Sequence, residues 1–200
     1  LGKPVLCLHR AGTRVSKMLT GCPDFSLGSY ADPAEAQALA GRFLAELARA
    51  FPDIHVVSEE HASEYGAPEA VGETFFLVDP IDGTKAFVRG DPNYTVNIGL
   101  VSKGRAVGGA IMAPVTGETW FTRGGRAFKR VNGGPEVEVR ARTWPKGAAV
   151  ALMSHTMKPE TIARYAEEYG FDHPQPMDSS IKLCRLAEGA ADLYPRHGPT

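Results

Sequence analysis

The stretch Thr74-Phe-Phe-Leu-Val-Asp-Pro-Ile-Asp-Gly-Thr84 constrains this chain more than any other part of it. Residues 74–78 form a continuous apolar run that reads as a buried strand delivering Asp79 to its end. Pro80 and Gly83 turn the backbone there, and a second carboxylate, Asp82, follows on the same turn. Two acids held this close repel each other unless a cation or a proton lies between them. Magnesium takes one or two carboxylates together with water and substrate phosphate, and the carbonyl of Ile81 between the acids is a further oxygen donor. Gly83 and Thr84 then present N–H groups where a phosphate oxygen can dock. A second apolar run, Ile54 to Val57, ends in Ser58-Glu59-Glu60. If the two strands are neighbours, Glu59 and Asp79 lie side by side, an arrangement suited to two divalent ions roughly 3.5–4 Å apart. Pro followed by Asp and Gly is also ordinary turn chemistry, so residues 79–83 alone leave a plain surface turn open. The strand ahead of them and the Thr and aromatic behind tell against it.

The rest of the chain organises around that turn. Residues 1–31 show little periodicity and read as irregular. Asp32 suits an N-cap, Pro33 a first helical residue and Glu35 the partner three positions on. Leu39, Phe43 and Leu47, with Leu44 and Phe51 beside them, make one apolar stripe. Tyr94 to Val101, Ala106 to Met112, Glu118 to Phe121 and Val137 to Arg140 read as strands, with a hairpin turn at Ser102-Lys103-Gly104-Arg105. Past Pro145 the texture changes. Ala149 to Met153 reads as a strand and Pro159 to Tyr169 as a helix; a second helix, capped by Ser179-Ser180, runs through Glu188, and Ala190 to Tyr194 is a last strand. This predicts a metal-binding α+β domain with a mostly antiparallel sheet over residues 1–145, then a partial α/β substrate domain over 146–200.

A net charge of −1 provides no broad positive field for nucleic acid or an anionic membrane, so any phosphate must be met by a local site. A metal is one way to supply that charge. The three cysteines form no C-x-x-C pair, which favours free thiols in a reducing compartment. No apolar run approaches the roughly 20 residues that span a bilayer, and the start has too short an apolar stretch for a signal peptide. A cytoplasmic location is the expectation, the inner membrane face being a second place for a peripheral form. Arg123, Arg126, Lys129 and Arg130 read as a solvated face, Cys184 as core, Glu60 as a surface acid or a neighbour of the ligands, and His9, His61, His173 and His197 as surface. Ser154 and His155 are sequence neighbours, and adjacency alone builds no nucleophilic triad.

The motif D-P-I-D-G-T-x-x-F at residues 79–87 resembles the first signature of the inositol-monophosphatase superfamily, and the likeness runs over residues 33–200. Lys85 after D-G-T, the run Y-T-V-N-I-G-L from Tyr94 to Leu100, and the segment from Ser179 to Thr200 are similar to the bacterial 3′(2′),5′-bisphosphate nucleotidases within it. The resemblance implies a layered α-β-α-β sugar-phosphatase-like fold and Mg²⁺, two or three ions in a complete member. By position it implies Glu59, Asp79, the Ile81 carbonyl and Asp82 as metal ligands, and Glu59, Thr84 and Asp82 as the catalytic set. Thr84 and Glu59 would orient the attacking water, and the amides of Gly83 and Thr84 would donate to phosphate. Ser154 and His155 would approach a nucleotide, and Ser180, Lys182 and Glu188 would lie on the substrate side. The implied reaction is hydrolysis of the 3′-phosphate of 3′-phosphoadenosine 5′-phosphate or its sulfated analogue by metal-activated water. Inositol monophosphatase or sugar bisphosphatase activity is the alternative on the same chemistry.

Two departures stand out. The family's second signature, W-D-x-A-A-G, would follow Thr200, where the chain stops. Relatives also carry D-x-S-P-V-T-x-A-D ahead of the first long helix; the nearest match here, Asp24 to Asp32, has Leu-Gly-Ser in place of Pro-Val-Thr. Asp32 is therefore either a helix cap or a metal ligand. The expectation is a truncated chain, weak or inactive by itself, whose uncovered apolar surface favours a homodimer or poor solubility. A catalytically incomplete metal-binding fragment is the corresponding alternative of another class.

Overall fold

A computed structural model describes residues 5–10, 25–30, 33–59, 62, 63, 66, 68, 71–145 and 148–196. Asp32, Glu60, His61 and His197 lie outside the described residues, and with them the two readings of Asp32.

Within the stretch expected to be irregular, β1 (Val5–Arg10) and β2 (Phe25–Tyr30) form a parallel pair. Phe25 and Leu27 alternate with Ser26 and Gly28, but the pattern breaks at Ser29-Tyr30 and is too short to announce a strand by itself. Helix α1 (Pro33–Ala50) starts at the predicted proline and stops ahead of Pro52. Its Phe43, Leu44 and Leu47 pack with Phe51, Phe76, Val78, Phe87 and Tyr94 in the main core. The Phe51 and Phe76 rings meet edge to face at 5.2 Å.

Seven strands follow in one sheet, in chain order: β3 (His55–Ser58), β4 (Thr74–Asp82), β5 (Thr95–Ser102), β6 (Arg105–Ala113), β7 (Glu118–Arg123), β8 (Arg126–Val131) and β9 (Val137–Val139), with the short helix α2 (Thr84–Arg89) between β4 and β5. Only β3 and β4 run parallel; every later pair is antiparallel. The β5–β6 turn puts Lys103 at φ 50° and Gly104 at φ 71°, the left-handed pair that a two-residue hairpin needs. The β8 strand went unread because Arg-Ala-Phe-Lys-Arg-Val looks like charged surface.

Side chains alternate across this sheet. Phe76, Val78 and Pro80 of β4 are buried, and the first two face the α1 core. Asp79 points to the other face, where the ladder aligns it with Asn97, Ile111 and Trp120 on successive strands.

The remaining chain forms a smaller layer. Strands β10 (Val150–Met153) and β11 (His173–Pro176) pair in parallel around helix α3 (Pro159–Tyr169), which buries Tyr165 against Ala149, Ala151, Met153 and Phe171. The strand expected over 190–194 is reduced to one bridge between Ala151 and Leu193. The cause is Asp192: its carboxylate accepts the Val150 N–H at 2.7 Å and forks onto Arg142 at 2.7 and 2.6 Å, so a side chain takes a ladder partner's place. Helix α4 (Ile181–Ala187) leaves this layer and packs Ile181 and Cys184 on Ala113 and Trp120 of the large sheet. No described helix is long and apolar enough to cross a membrane.

An ion network locks α4 down. Arg185 forks onto Glu118 at 2.8 and 2.7 Å and reaches Glu188 at 2.6 Å. Lys129 bridges the same two carboxylates at 2.7 and 2.8 Å, and the Trp120 indole N–H donates to Glu188 at 2.8 Å. The basic cluster read as a solvated face is thus matched by acids: Lys129 by Glu118 and Glu188, Arg123 and Arg130 by Glu136, and Arg126 by Glu138. Those acids come from β7, β9 and α4 and the segment before β9, which no local pattern connects to β8. Burial alone would push the Glu118 carboxyl up, but hydrogen bonds from Arg185, Lys129 and Thr116 pull it down to about 2 from an ordinary 4.5. A depressed pKa gives stability that is present above the ordinary value and lost as pH falls toward the folded one. Unfolding measured by urea should therefore show stability falling between about pH 4.5 and 2, and Glu118→Gln should flatten that loss. At neutral pH, Glu188→Ala should cost about 1–3 kcal/mol, because it takes one of two carboxylates from each of Arg185 and Lys129 and leaves the buried indole N–H unpaired.

Candidate active site

The turn after β4 is shaped by Pro80 and Gly83. Pro80 is fully buried, and the β4–β5 register slips between Asp79, opposite Asn97, and Asp82, opposite Thr95. The slip lets both acids leave the same strand end. Gly83 sits at φ 90°, and a Cβ there would lie 2.9 Å from the Asn93 carbonyl and 3.1 Å from Ser179 Cβ. Only glycine satisfies both the backbone angle and the space.

Each group on the turn is held. The Ile81 N–H donates to Asp79 Oδ1 at 3.1 Å, and the Thr84 hydroxyl donates to the Ile81 carbonyl at 3.2 Å. Asp82 Oδ2 accepts three neutral donors: the Ser180 N–H at 2.5 Å, the Ser180 hydroxyl at 2.6 Å and the Thr95 hydroxyl at 3.2 Å. Asn97 Nδ2 donates in turn to Ser180 Oγ at 3.0 Å. The Ser179-Ser180 pair expected at the start of α4 stands there: Ser180 takes the cap position but sends its hydroxyl to Asp82, and Ser179 Oγ accepts from the Ile181 N–H.

A cavity of 530 Å³ opens over this turn, with Glu59, Asp79, Ile81, Asp82, Gly83 and Thr84 on one side. Lys85, Ser154, Ser180 and Lys182 complete the predicted residues on its wall. Lys182 is 8% exposed, and its ammonium donates to the Met177 carbonyl at 3.3 Å and lies 5.1 Å from the Tyr194 ring centre. It has no carboxylate partner among the described residues. A buried cation in that position is costly unless an anion joins it.

Two predicted residues lie elsewhere. Glu188 belongs to the network beneath α4 and is not on the cavity wall. His155 is also off the wall and turns to Asp178, with Nδ1 at 3.1 Å from Oδ2. Arg89 donates to the same carboxylate at 3.0 Å. Burial raises the Asp178 carboxyl, but Arg89 and His155 together hold it below the usual range. Thr95, Asn97, Asp178, Tyr194 and Arg196 were missed. The signal for the first two was present: polar residues two apart in an otherwise apolar strand point to one face of the sheet.

The oxygen-only donor set suits a hard cation such as Mg²⁺. Asp82 Oδ1 and the exposed Glu59 carboxylate make no hydrogen bond or ion pair with a described residue, and a carbonyl such as that of Ile81 keeps a second lone pair. Among the described residues no three His, Cys, Asp or Glu side chains are gathered closely enough to form a metal cage by themselves. A second hollow of 510 Å³, between β5–β9 and α4, is lined by Val107, Trp120, Leu183 and Cys184 among others and by no charged side chain. Burial pushes the Cys184 thiol up to about 12, so it is a neutral core group and no nucleophile.

Fold and cavity together define a layered α+β protein with carboxylates at adjacent parallel strand ends facing an anion-sized hollow. A profile of the inositol monophosphatase family matches residues 31–200, and the chain belongs to that family. It is 36% identical over 149 residues to the 3′(2′),5′-bisphosphate nucleotidase CysQ of Salmonella typhimurium, covering 74% of this chain and 59% of that protein. With the CysQ of Escherichia coli K12 it shares 31% identity over 197 residues, 96% of this chain and 78% of the relative. The chain thus spans just under three-fifths of the first relative's length and just under four-fifths of the second's. The crystal structure of CysQ from Bacteroides thetaiotaomicron, a bacterial member of the inositol monophosphatase family, superposes with a TM-score of 0.65 at 28% identity, over 86% of this chain and 70% of that one.

The Gly83 geometry has a direct consequence. Gly83→Ala should lower stability by about 1–3 kcal/mol, from a left-handed alanine pressed on the Asn93 carbonyl, as read by urea unfolding. An unchanged midpoint would show that the turn has room to relax.

Proposed function

We propose that the protein is a Mg²⁺-dependent phosphomonoesterase of the cytoplasm that removes the 3′-phosphate of 3′-phosphoadenosine 5′-phosphate or its sulfated analogue. The observation that carries this reading is the 530 Å³ cavity, where Glu59, Asp79 and Asp82 share a wall with the buried Lys182. The relatives named as bisphosphate nucleotidases favour a nucleotide over an inositol phosphate.

Glu59, Asp79, Asp82 and the Ile81 carbonyl would hold Mg²⁺. When bound, the ion supplies positive charge to the phosphoryl group and makes water a better nucleophile. The chain's own groups do the positioning. Thr84 gives its proton to the Ile81 carbonyl, so its oxygen is left to accept from a water that Glu59 also orients. The Gly83 and Thr84 amides and the Lys182 ammonium meet the phosphate oxygens. Ser180, tethered by Asn97, keeps Asp82 from swinging away, so the carboxylate enters the reaction already oriented. Ser154 lies on the substrate wall, while His155 acts only through Asp178.

Phosphate release from adenosine 3′,5′-bisphosphate should require Mg²⁺, stop on adding EDTA, and fall at least about a hundredfold in Asp82→Asn. Its kcat/KM should exceed that for inositol 1-phosphate by about tenfold or more. Turnover indifferent to EDTA would remove the metal from the reading, and the reverse substrate preference would replace the nucleotidase with an inositol phosphatase.

A further inference from the structure

We infer that Asp178 is a positioning residue that clamps the two walls of the phosphate cavity together and so sets the distance between Lys182 and the Gly83-Thr84 turn; this rests on the phosphomonoesterase reading above. Its action runs through Arg89 and His155 and not through the reacting atoms. The two walls come from different packing units. On one side, Phe87 anchors the turn and α2 in the main core with Phe76 and Val78. On the other, Ser154 follows Met153, which is buried in the smaller layer, and α4 packs through Ile181 and Cys184 on Trp120. Among the described residues, the main core draws no side chain from that second wall. Polar links have to keep the walls in register.

One short segment makes those links at both ends of α2. Ahead of the helix, Asp82 accepts the N–H and the hydroxyl of Ser180. At its last residue, Arg89 Nη2 donates to Asp178 Oδ2 at 3.0 Å. Ser179, between the two, stands at φ 58°, a left-handed angle that a serine keeps only where its neighbours hold it. The segment is fastened to the smaller layer as well: the Met177 N–H donates to the Met153 carbonyl at 2.8 Å, and His155 Nδ1 lies 3.1 Å from Asp178 Oδ2. Asp178 is thus the one carboxylate here that takes a cationic partner from α2 and a ring nitrogen from the end of β10. It also lies on the cavity wall, where a negative charge repels the anion the cavity would hold. By charge alone, removing it should tighten phosphate binding; as a clamp, removing it should weaken binding. The two roles have opposite signs.

Binding of inorganic phosphate in Mg²⁺ should be followed by calorimetry, with KM and kcat for adenosine 3′,5′-bisphosphate measured alongside. Asp178→Ala should raise the phosphate Kd and the KM about tenfold and change kcat less than about threefold, the pattern of binding lost equally from ground and transition states. Adding Arg89→Ala to it should move either value by no more than about twofold, because the link is already broken. Asp178→Asn keeps the side chain's shape and an acceptor oxygen, so it should fall between wild type and Asp178→Ala, and it carries the same test where the alanine variant does not fold. A phosphate Kd unchanged or lowered in both Asp178 variants would overturn the inference. So would a further loss of about tenfold in the double variant, which would make Arg89 a direct phosphate contact. The two readings fail separately. Mg²⁺-dependent hydrolysis whose KM is the same or lower without Asp178 leaves the phosphatase standing and removes the clamp. Phosphate binding that weakens in Asp178→Ala, with no phosphate release from any substrate, keeps the clamp and removes the phosphatase. No phosphate binding by the wild type would remove both.

Discussion

The structure turns on one carboxylate. Asp82 accepts the backbone and the hydroxyl of Ser180 together with the hydroxyl of Thr95, and so joins a strand-end turn to a helix that begins almost a hundred residues later. All three donors are neutral, so the bonds orient Asp82 while leaving its negative charge uncancelled. An arginine in the same place would orient the acid equally well and extinguish it as a ligand. Asn97, on the strand beside Asp79, holds Ser180 from the other direction. The turn, the sheet and α4 therefore form one rigid corner.

That corner is stabilised from behind and from the side. Behind it, Glu118 and Lys129 from the sheet meet Arg185 and Glu188 from α4, with Trp120 lying among them. The network's energy comes from matched charges in a half-buried place, where removing one partner costs more than the pair contributes. At the side, Asp178 takes both Arg89 from the helix after the turn and His155 from the smaller layer. Arg89 and His155 are thus satisfied beside the cavity, while the buried ammonium of Lys182 on its wall has no carboxylate among the described residues. The imbalance is what marks this hollow as one for an anion.

Much of the fold was readable because it is local. The α1 stripe, the Lys103-Gly104 hairpin and the α3 start at Pro159 each follow from spacing or turn chemistry within a few residues. The failures share a cause. Charges on β8 conceal a strand because their partners lie on β7, β9 and α4 and before β9; Asp192 replaces a ladder bond that residues 190–194 alone would be expected to make. In the site, the motif at residues 79–87 and the Glu59 strand end were visible, and the parallel β3–β4 pairing brings them to one cavity. Thr95 and Asn97 needed their strand's neighbour to be known, since a polar residue in an apolar run announces a partner without saying which.

The amino-acid sequence by itself determined the chemistry on offer: acids on a turn shaped by Pro80 and Gly83, delivered by an apolar strand, with a family resemblance to match. Those are short-range properties, set by backbone angles and side-chain type. Which groups meet those acids was decided only by tertiary structure. Ser180 could have capped its own helix and Glu188 could have faced a substrate; instead α4 docks so that Ser180 reaches Asp82 and Glu188 turns to Lys129, Arg185 and Trp120. The reason is that burial of Ile181 and Cys184 against Trp120 fixes the rotation of α4, and that rotation is a property of the packed sheet.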